Sequence, residues 1–220
     1  MKQLDDDVKS ALNWFEINSL VANPSKFQML LLGVKNYEDF GIFIKDSYIK
    51  CTNTVKLIGV TLDNKLSFRN HVEEICKKAN QKTKALLRIR NHLTQDRAYL
   101  LYKTFIASAF NYSPLIWMFC GKILNSLIDN TQKRGLRAVL NDFSLPLVDL
   151  VEIFETKTLH KRNLYLLLIE VYKSINRFNP EFMADMFIPK ENSYSMRHGT
   201  SFTIPKARSN MGNKAVQTKI

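Results

Sequence analysis

Apolar residues near the start of the chain, Leu4, Val8, Leu12 and Phe15, recur at spacings of three and four, the period of one helix face. That spacing predicts a helix over residues 5–19. Asp5 and Asp6, close to its start, suit the positive end of a helix dipole. Residues 27–33 form a short apolar run closed by Gly33, the pattern of a buried strand. Two further apolar stretches, 41–45 and 48–51, flank Asp46-Ser47 and read as a hairpin. Residues 55–62 read as another strand, ended by the turn-forming pair Asp63-Asn64. The first 66 residues are therefore expected to be one helix with three or four strands.

After Ser67 the period changes. Phe68, Val72, Ile75, Ala79, Leu86 and Ile89 keep a loose three-and-four rhythm, which predicts a helix to about residue 90. Thr94 can cap a second helix, because its hydroxyl can accept from the free amides of the first turn. That helix is expected to run through Leu101, Phe105 and Ala109 until Pro114 kinks or ends it. Residues 124–140 predict a third helix and 157–176 a fourth, strongly apolar one. Beyond Pro180, the residues Pro189, Gly199, Pro205 and Gly212 with few apolar runs predict little regular structure. The fold class is α+β, a small region of helix and antiparallel strands followed by mainly helical regions.

Composition adds little until charge is placed along the chain. At 220 residues, 45% hydrophobic and 24% charged, the chain is of globular type with length for one large domain or two modest ones. Its 32 Lys and Arg against 20 Asp and Glu give a net charge of +12, which points to a polyanionic partner, a nucleic acid or an acidic membrane face. Residues 1–68 are balanced, 8 basic against 8 acidic; residues 69–137 carry 13 against 4; residues 138–220 carry 11 against 8. The middle third holds most of the excess. No apolar run reaches the ~18 residues that span a bilayer, and the first residues lack a signal-peptide pattern. Cys51, Cys76 and Cys120 are widely spaced, and the four histidines are scattered. Reduced thiols, no metal site and an intracellular location, nuclear or cytoplasmic, are the expectation.

Candidate chemistry is sparse. Asp5-Asp6-Asp7 could hold divalent ions or simply charge a helix start, and no second acidic cluster accompanies it. Lys77, Lys84 and Arg88 recur at seven and four, and Lys78 and Lys82 are four apart. This basic stripe could neutralise phosphates or be a solvated helix face. Tyr99, Tyr102, Phe105, Phe110, Tyr112, Trp117 and Phe119 could stack on bases or fill a core. His71 at a helix start suits packing or capping rather than ligation. There is no Ser/His/Asp grouping, no P-loop and no GxGxxG.

Several blocks in order resemble one family. Trp14, Asn18, Leu20, Asn23 and Lys26 resemble the stretch that follows the catalytic centre in reverse transcriptases of non-LTR (LINE) retrotransposons, the jockey-like elements among them. Lys56, Gly59, Val60, Asp63, Leu66, Phe68 and His71 are similar to the family's next block. Tyr102, Asn111-Tyr112-Ser113-Pro114 with Trp117, and Gln132-Lys133-Arg134 with Arg137 continue it. Met196-Arg197 and Ile204-Pro205 with Arg208 resemble its tail.

The resemblance implies that 1–66 is the C-terminal part of a polymerase palm, 67–140 a helical thumb that grips a template–primer duplex, and 141–220 the region after it. It implies duplex contacts by Lys77, Lys78, Lys82, Lys84, Arg88, Lys133, Arg134 and Arg137, and support of the primer strand by Leu57, Gly59 and Val60. The partners it implies are an RNA–DNA or DNA duplex and the remaining palm and fingers, with no membrane. The family's aromatic-x-Asp-Asp motif does not occur in these 220 residues, since Asp5-Asp6-Asp7 has no aromatic two positions ahead. The pattern extends beyond both ends, so a truncated or decayed copy is expected. Lys26 matches a lysine that can protonate leaving pyrophosphate, but here it is expected to be idle. No cofactor is expected in this chain, although the intact family enzyme uses Mg2+.

Overall fold

The computed structural model describes residues 2–34, 37, 39–187 and 202. The expectations placed on Pro189, Met196, Arg197, Gly199, Ile204, Pro205, Arg208 and Gly212 lie outside the described residues. The chain divides into two compact units, Met1–Ser67 and Phe68–Ile220. The described elements are α+β, mostly helical with two antiparallel sheets of two strands each.

In the first unit, α1 (Lys2–Ile17) covers most of the predicted helix and starts earlier. The hairpin predicted around residue 46 pairs β1 (Gly41–Ile44) with β2 (Ser47–Lys50), in register from Gly41–Lys50 to Ile44–Ser47. Its turn is Lys45-Asp46, one residue before the pair read from sequence, and Lys45 takes a φ of 53°.

The stretch 55–62, read as one strand, is a second hairpin. Strand β3 (Thr54–Leu57) folds back on β4 (Val60–Asp63) through Ile58-Gly59, whose φ angles are 44° and 78°. A two-residue turn with positive φ at both centres matches the right-handed twist of its strands. Gly59 supplies its half of that geometry without steric cost. The reading failed because apolar residues (Val55, Leu57, Ile58, Val60 and Leu62) run on through a turn this short.

The strand predicted over 27–33 is absent as a ladder. Met29 makes one isolated parallel bridge to Cys51. The amide side chain of Gln28 instead grips the Lys56 backbone, accepting from its N–H at 2.9 Å and donating to its carbonyl at 3.1 Å.

The second unit is built on α2 (Arg69–Ile89) packed along α5 (Lys122–Leu140). Between them in sequence lie α3 (Gln95–Leu101) and α4 (Pro114–Trp117); α6 (Leu147–Ile153), α7 (Leu159–Ile175) and α8 (Glu181–Ala184) follow. Thr94 caps α3 as expected, its Oγ1 accepting from the Arg97 N–H. The helix predicted to continue through 109 changes pitch after Leu101, into a π-helical turn (Tyr102–Ile106) and a 3-10 turn (Ala107–Phe110).

Val72, Cys76, Ala79 and Leu86 of α2 share one core with Leu124, Ile128, Leu136 and Val139 of α5. Leu150 of α6 and Leu159 of α7 belong to the same core. Tyr102, Phe110 and Trp117 are buried in it, so these aromatics are core rather than stacking platforms.

Polar groups lock this packing. Arg90, just past α2, donates from Nε to the Val139 carbonyl in the last turn of α5 (2.6 Å) and from Nη1 to Leu93 (2.8 Å). Those bonds satisfy a helix-end acceptor that has no partner within the helix. Buried Gln132 accepts from the Leu159 N–H and donates to the Lys157 carbonyl, both at 3.0 Å, and so fixes the start of α7 on α5. Asn141 ends α5 in the left-handed conformation (φ 61°). Asparagine is among the residues that tolerate this cap.

Gly135 of α5 lies under the Tyr102 ring, where a Cβ would stand 2.6 Å from the ring's Cε2. Burial there pushes the Tyr102 hydroxyl well above its ordinary pKa. In Gly135→Ala, overpacking of about 1–3 kcal/mol should outweigh the helix propensity gained, about 0.8–1.0 kcal/mol. A lower urea midpoint is the expected outcome, and a higher one would show that the ring can swing aside.

Candidate nucleic-acid interface

The basic stripe of α2 divides into two faces once the helix is formed. At 100° per residue, Lys77, Lys84 and Arg88 lie within about 40° of one another, while Lys78 and Lys82 lie roughly 100° or more around from Lys77. The packed residues Val72, Cys76, Ala79 and Leu86 occupy the remaining side. The two basic faces meet different surroundings.

Lys77 and Lys84 face α5. With Arg134 and Arg137 from that helix they line an open groove of about 710 Å3, together with Asn80, Gln81, Thr83, Leu87 and Phe143. The packing of α2 on α5 thus joins cations that are far apart in sequence. Lys77, Lys84 and Arg134 are exposed, and among the described residues no carboxylate pairs with them. Arg137 is half-buried; its Nε donates to the Leu145 carbonyl at 2.7 Å and its Nη2 to Ser144 at 3.2 Å. It contributes charge to the groove while holding the loop after α5.

The other cations are employed differently. Lys78 pairs with Glu74 at 2.6 Å along α2, and Arg69 with Glu73 at 3.2 Å. Lys82 donates to the Phe105 carbonyl in the π-helical turn at 2.8 Å, beside a mainly apolar cleft that includes Ala85, Ile89 and Leu101. Arg88 is exposed and Lys133 half-buried, and neither lines the α2–α5 groove. Of the eight basic residues expected to touch nucleic acid, the fold brings four into one groove.

Sequence reasoning missed Phe143, and its surroundings explain its placement. Asp142 accepts from the Ser144 Oγ at 2.7 Å and the Ser144 N–H at 2.8 Å. These bonds hold the Asp142 carboxyl below the ordinary carboxylate range. The order Asn141-Asp142-x-Ser144 carries a local signal, a left-handed cap followed by an Asx turn. Braced in this way, Phe143 stays 57% exposed at the groove.

The positions singled out in the first unit are also placed. Lys26 ends the 3-10 turn Pro24–Lys26, which Asn23 caps by accepting from the Ser25 N–H at 3.0 Å, and its side chain is exposed. Leu57 and Gly59 are exposed at the tip of the second hairpin, whereas Val60 is buried. His71 is buried near the edge of Trp117, in keeping with a packing role.

Among the described residues no activated nucleophile emerges. The three cysteines are free and buried, and burial raises the Cys76 thiol and pushes that of Cys120 up to about 11, away from the reactive thiolate. Among the described residues no group of three or more His, Cys, Asp or Glu is arranged to hold a metal ion. Nor is any described helix long and apolar enough to cross a membrane. No family model, curated protein or solved structure matches the chain.

Proposed function

We propose that the chain is a nucleic-acid-binding part of a reverse transcriptase of the non-LTR type, with the α2–α5 groove holding the sugar–phosphate backbone of a template–primer duplex. One observation carries this reading: Lys77, Lys84, Arg134 and Arg137 converge on one groove with no carboxylate among its described lining residues. Four cations held together without counter-charge repel one another, and a row of phosphates relieves that repulsion. Contacts of this kind fix position and orientation without reading sequence.

In the same reading, residues 1–66 are the end of the palm. The exposed hairpin tip at Leu57 and Gly59 supports the primer strand, with Val60 anchoring it from below. The family's aromatic-x-Asp-Asp motif does not occur in these 220 residues, so this chain binds and positions nucleic acid without joining nucleotides. Lys26 then has no pyrophosphate to protonate. Divalent metal belongs to the intact family enzyme, whose remaining palm and fingers are the natural protein partners, and the setting is the nucleus or cytoplasm.

A second reading, a protein-interaction module derived from a retroelement, is favoured by α7. That helix buries Leu159, Asn163, Leu167 and Ser174. Tyr165, Leu168, Tyr172 and Ile175, on its opposite side, are between 45% and 63% exposed. Their 3-4-3 spacing is that of a helix-pairing seam.

Two measurements separate these readings. For the first, duplex affinity should fall steeply with salt, and each of Lys77→Ala, Lys84→Ala and Arg134→Ala should reduce the log–log slope by about 0.9. Lys78→Ala and Lys82→Ala should leave that slope nearly unchanged. Primer extension with Mg2+ or Mn2+ should be undetectable; synthesis by this chain, or a slope indifferent to the groove cations, contradicts the proposal. For the second, sedimentation without nucleic acid should show self-association that Leu168→Lys and Tyr172→Lys abolish. A monomer at all concentrations removes self-pairing through α7.

A further inference from the structure

The groove pairs its cations with one aromatic face. Phe143 is the aromatic among its lining residues, and Asn80 and Gln81 add amide groups from α2. A lone exposed Phe needs no explanation. This one is held in place by two separate sets of bonds. Arg137 binds the carbonyls of Ser144 and Leu145, and Asp142 binds the backbone and hydroxyl of Ser144. The cation lining the groove thus also sets the loop that presents the ring, so phosphate site and aromatic face are ordered together.

What the exposed ring can meet depends on whether the bases beside it are paired. Bases inside a duplex are stacked on one another and offer no free face to a side chain beside the backbone. An unpaired base does. Cations that follow a backbone, with an aromatic ring at their side, are the components of single-strand recognition.

We propose that the groove takes a single-stranded segment of nucleic acid, and that one unpaired base stacks on Phe143 while Lys77, Lys84, Arg134 and Arg137 hold the flanking phosphates. This rests on the reading of the groove as a phosphate-binding site and sharpens it. The favoured ligand is a junction, a duplex with an unpaired overhang, rather than a blunt duplex. Asn80 and Gln81 are placed to hydrogen-bond the edge of the splayed base, giving at most a mild sequence preference.

The test compares the full chain on three DNA ligands with equal numbers of phosphates: a blunt duplex, a duplex with a short overhang, and a single strand. The unpaired segment carries 2-aminopurine, whose fluorescence falls on stacking. The overhang should bind about tenfold or more tighter than the blunt duplex, as expected for one base stacked on an aromatic ring, with quenching of the reporter. Phe143→Ala should remove that advantage and the quenching with helical content unchanged; Phe143→Trp should retain both. Equal affinity for blunt and overhanging ligands overturns the inference but not phosphate binding by the groove. So does a Phe143→Ala variant that quenches like the parent chain. Failure to bind any of the three ligands overturns the groove assignment as well.

Discussion

The packing of α2 against α5 is the contact on which the second unit depends. Small and branched residues on α2 (Ala79, Val72, Cys76) meet Leu136, Ile128 and Val139 on α5, and the same core receives Tyr102, Phe110 and Trp117. Burial of this apolar surface supplies the driving force. The polar bonds at its ends set the register: Arg90 closes the end of α5, and Gln132 fastens the beginning of α7. Because the two helices are fixed along their length, the side chains bordering the seam are fixed as well. Lys77 and Lys84 acquire their relation to Arg134 and Arg137 in this way.

This arrangement sorts cations that look alike in sequence. Some meet internal acceptors: Lys78 a carboxylate, Lys82 and Arg90 backbone carbonyls. Such bonds are structural, and the exposed i,i+4 ion pairs add little to stability. Lys77, Lys84 and Arg134 border a groove with no carboxylate among its described lining residues. Uncompensated charge of one sign opposes the compact state, so the core must offset it. A basic protein can carry such a cost where a polyanion completes the site.

Much of the fold was legible because it rests on periodicity. The three-and-four rhythm located α1 and α2, and the stretches 124–140 and 157–176 matched α5 and α7, all to within a few residues; Thr94 marked the start of α3 through its capping hydroxyl. Where the reading failed, a local geometry interrupted a continuous pattern. Ile58-Gly59 reverses the chain inside one apolar stretch, and Met29 bridges Cys51 without a ladder forming around it. The change of pitch at Tyr102 leaves the apolar spacing almost intact, so a π-helical turn reads as ordinary helix. The short helices α4, α6 and α8 contain too few residues for a period to declare itself.

The site was half legible for a related reason. Spacing along α2 identified its cations, but the division between the Lys77 face and the Lys82 face depends on what packs beside each. Arg134 and Arg137 entered through a resemblance in which Gln132 and Gly135 are interleaved. In the fold, Gln132 grips α7 and Gly135 makes room for Tyr102. A sequence shows such neighbours as one block, while their tasks separate only in three dimensions. The central claim is that the α2–α5 seam assembles a phosphate-binding groove, and lysine acetylation read residue by residue by mass spectrometry, with and without bound duplex, tests it most directly. The account predicts that duplex protects Lys77 and Lys84 strongly while Lys122 and Lys161 react at unchanged rates. Uniform protection of all exposed lysines, or none at Lys77 and Lys84, would contradict it.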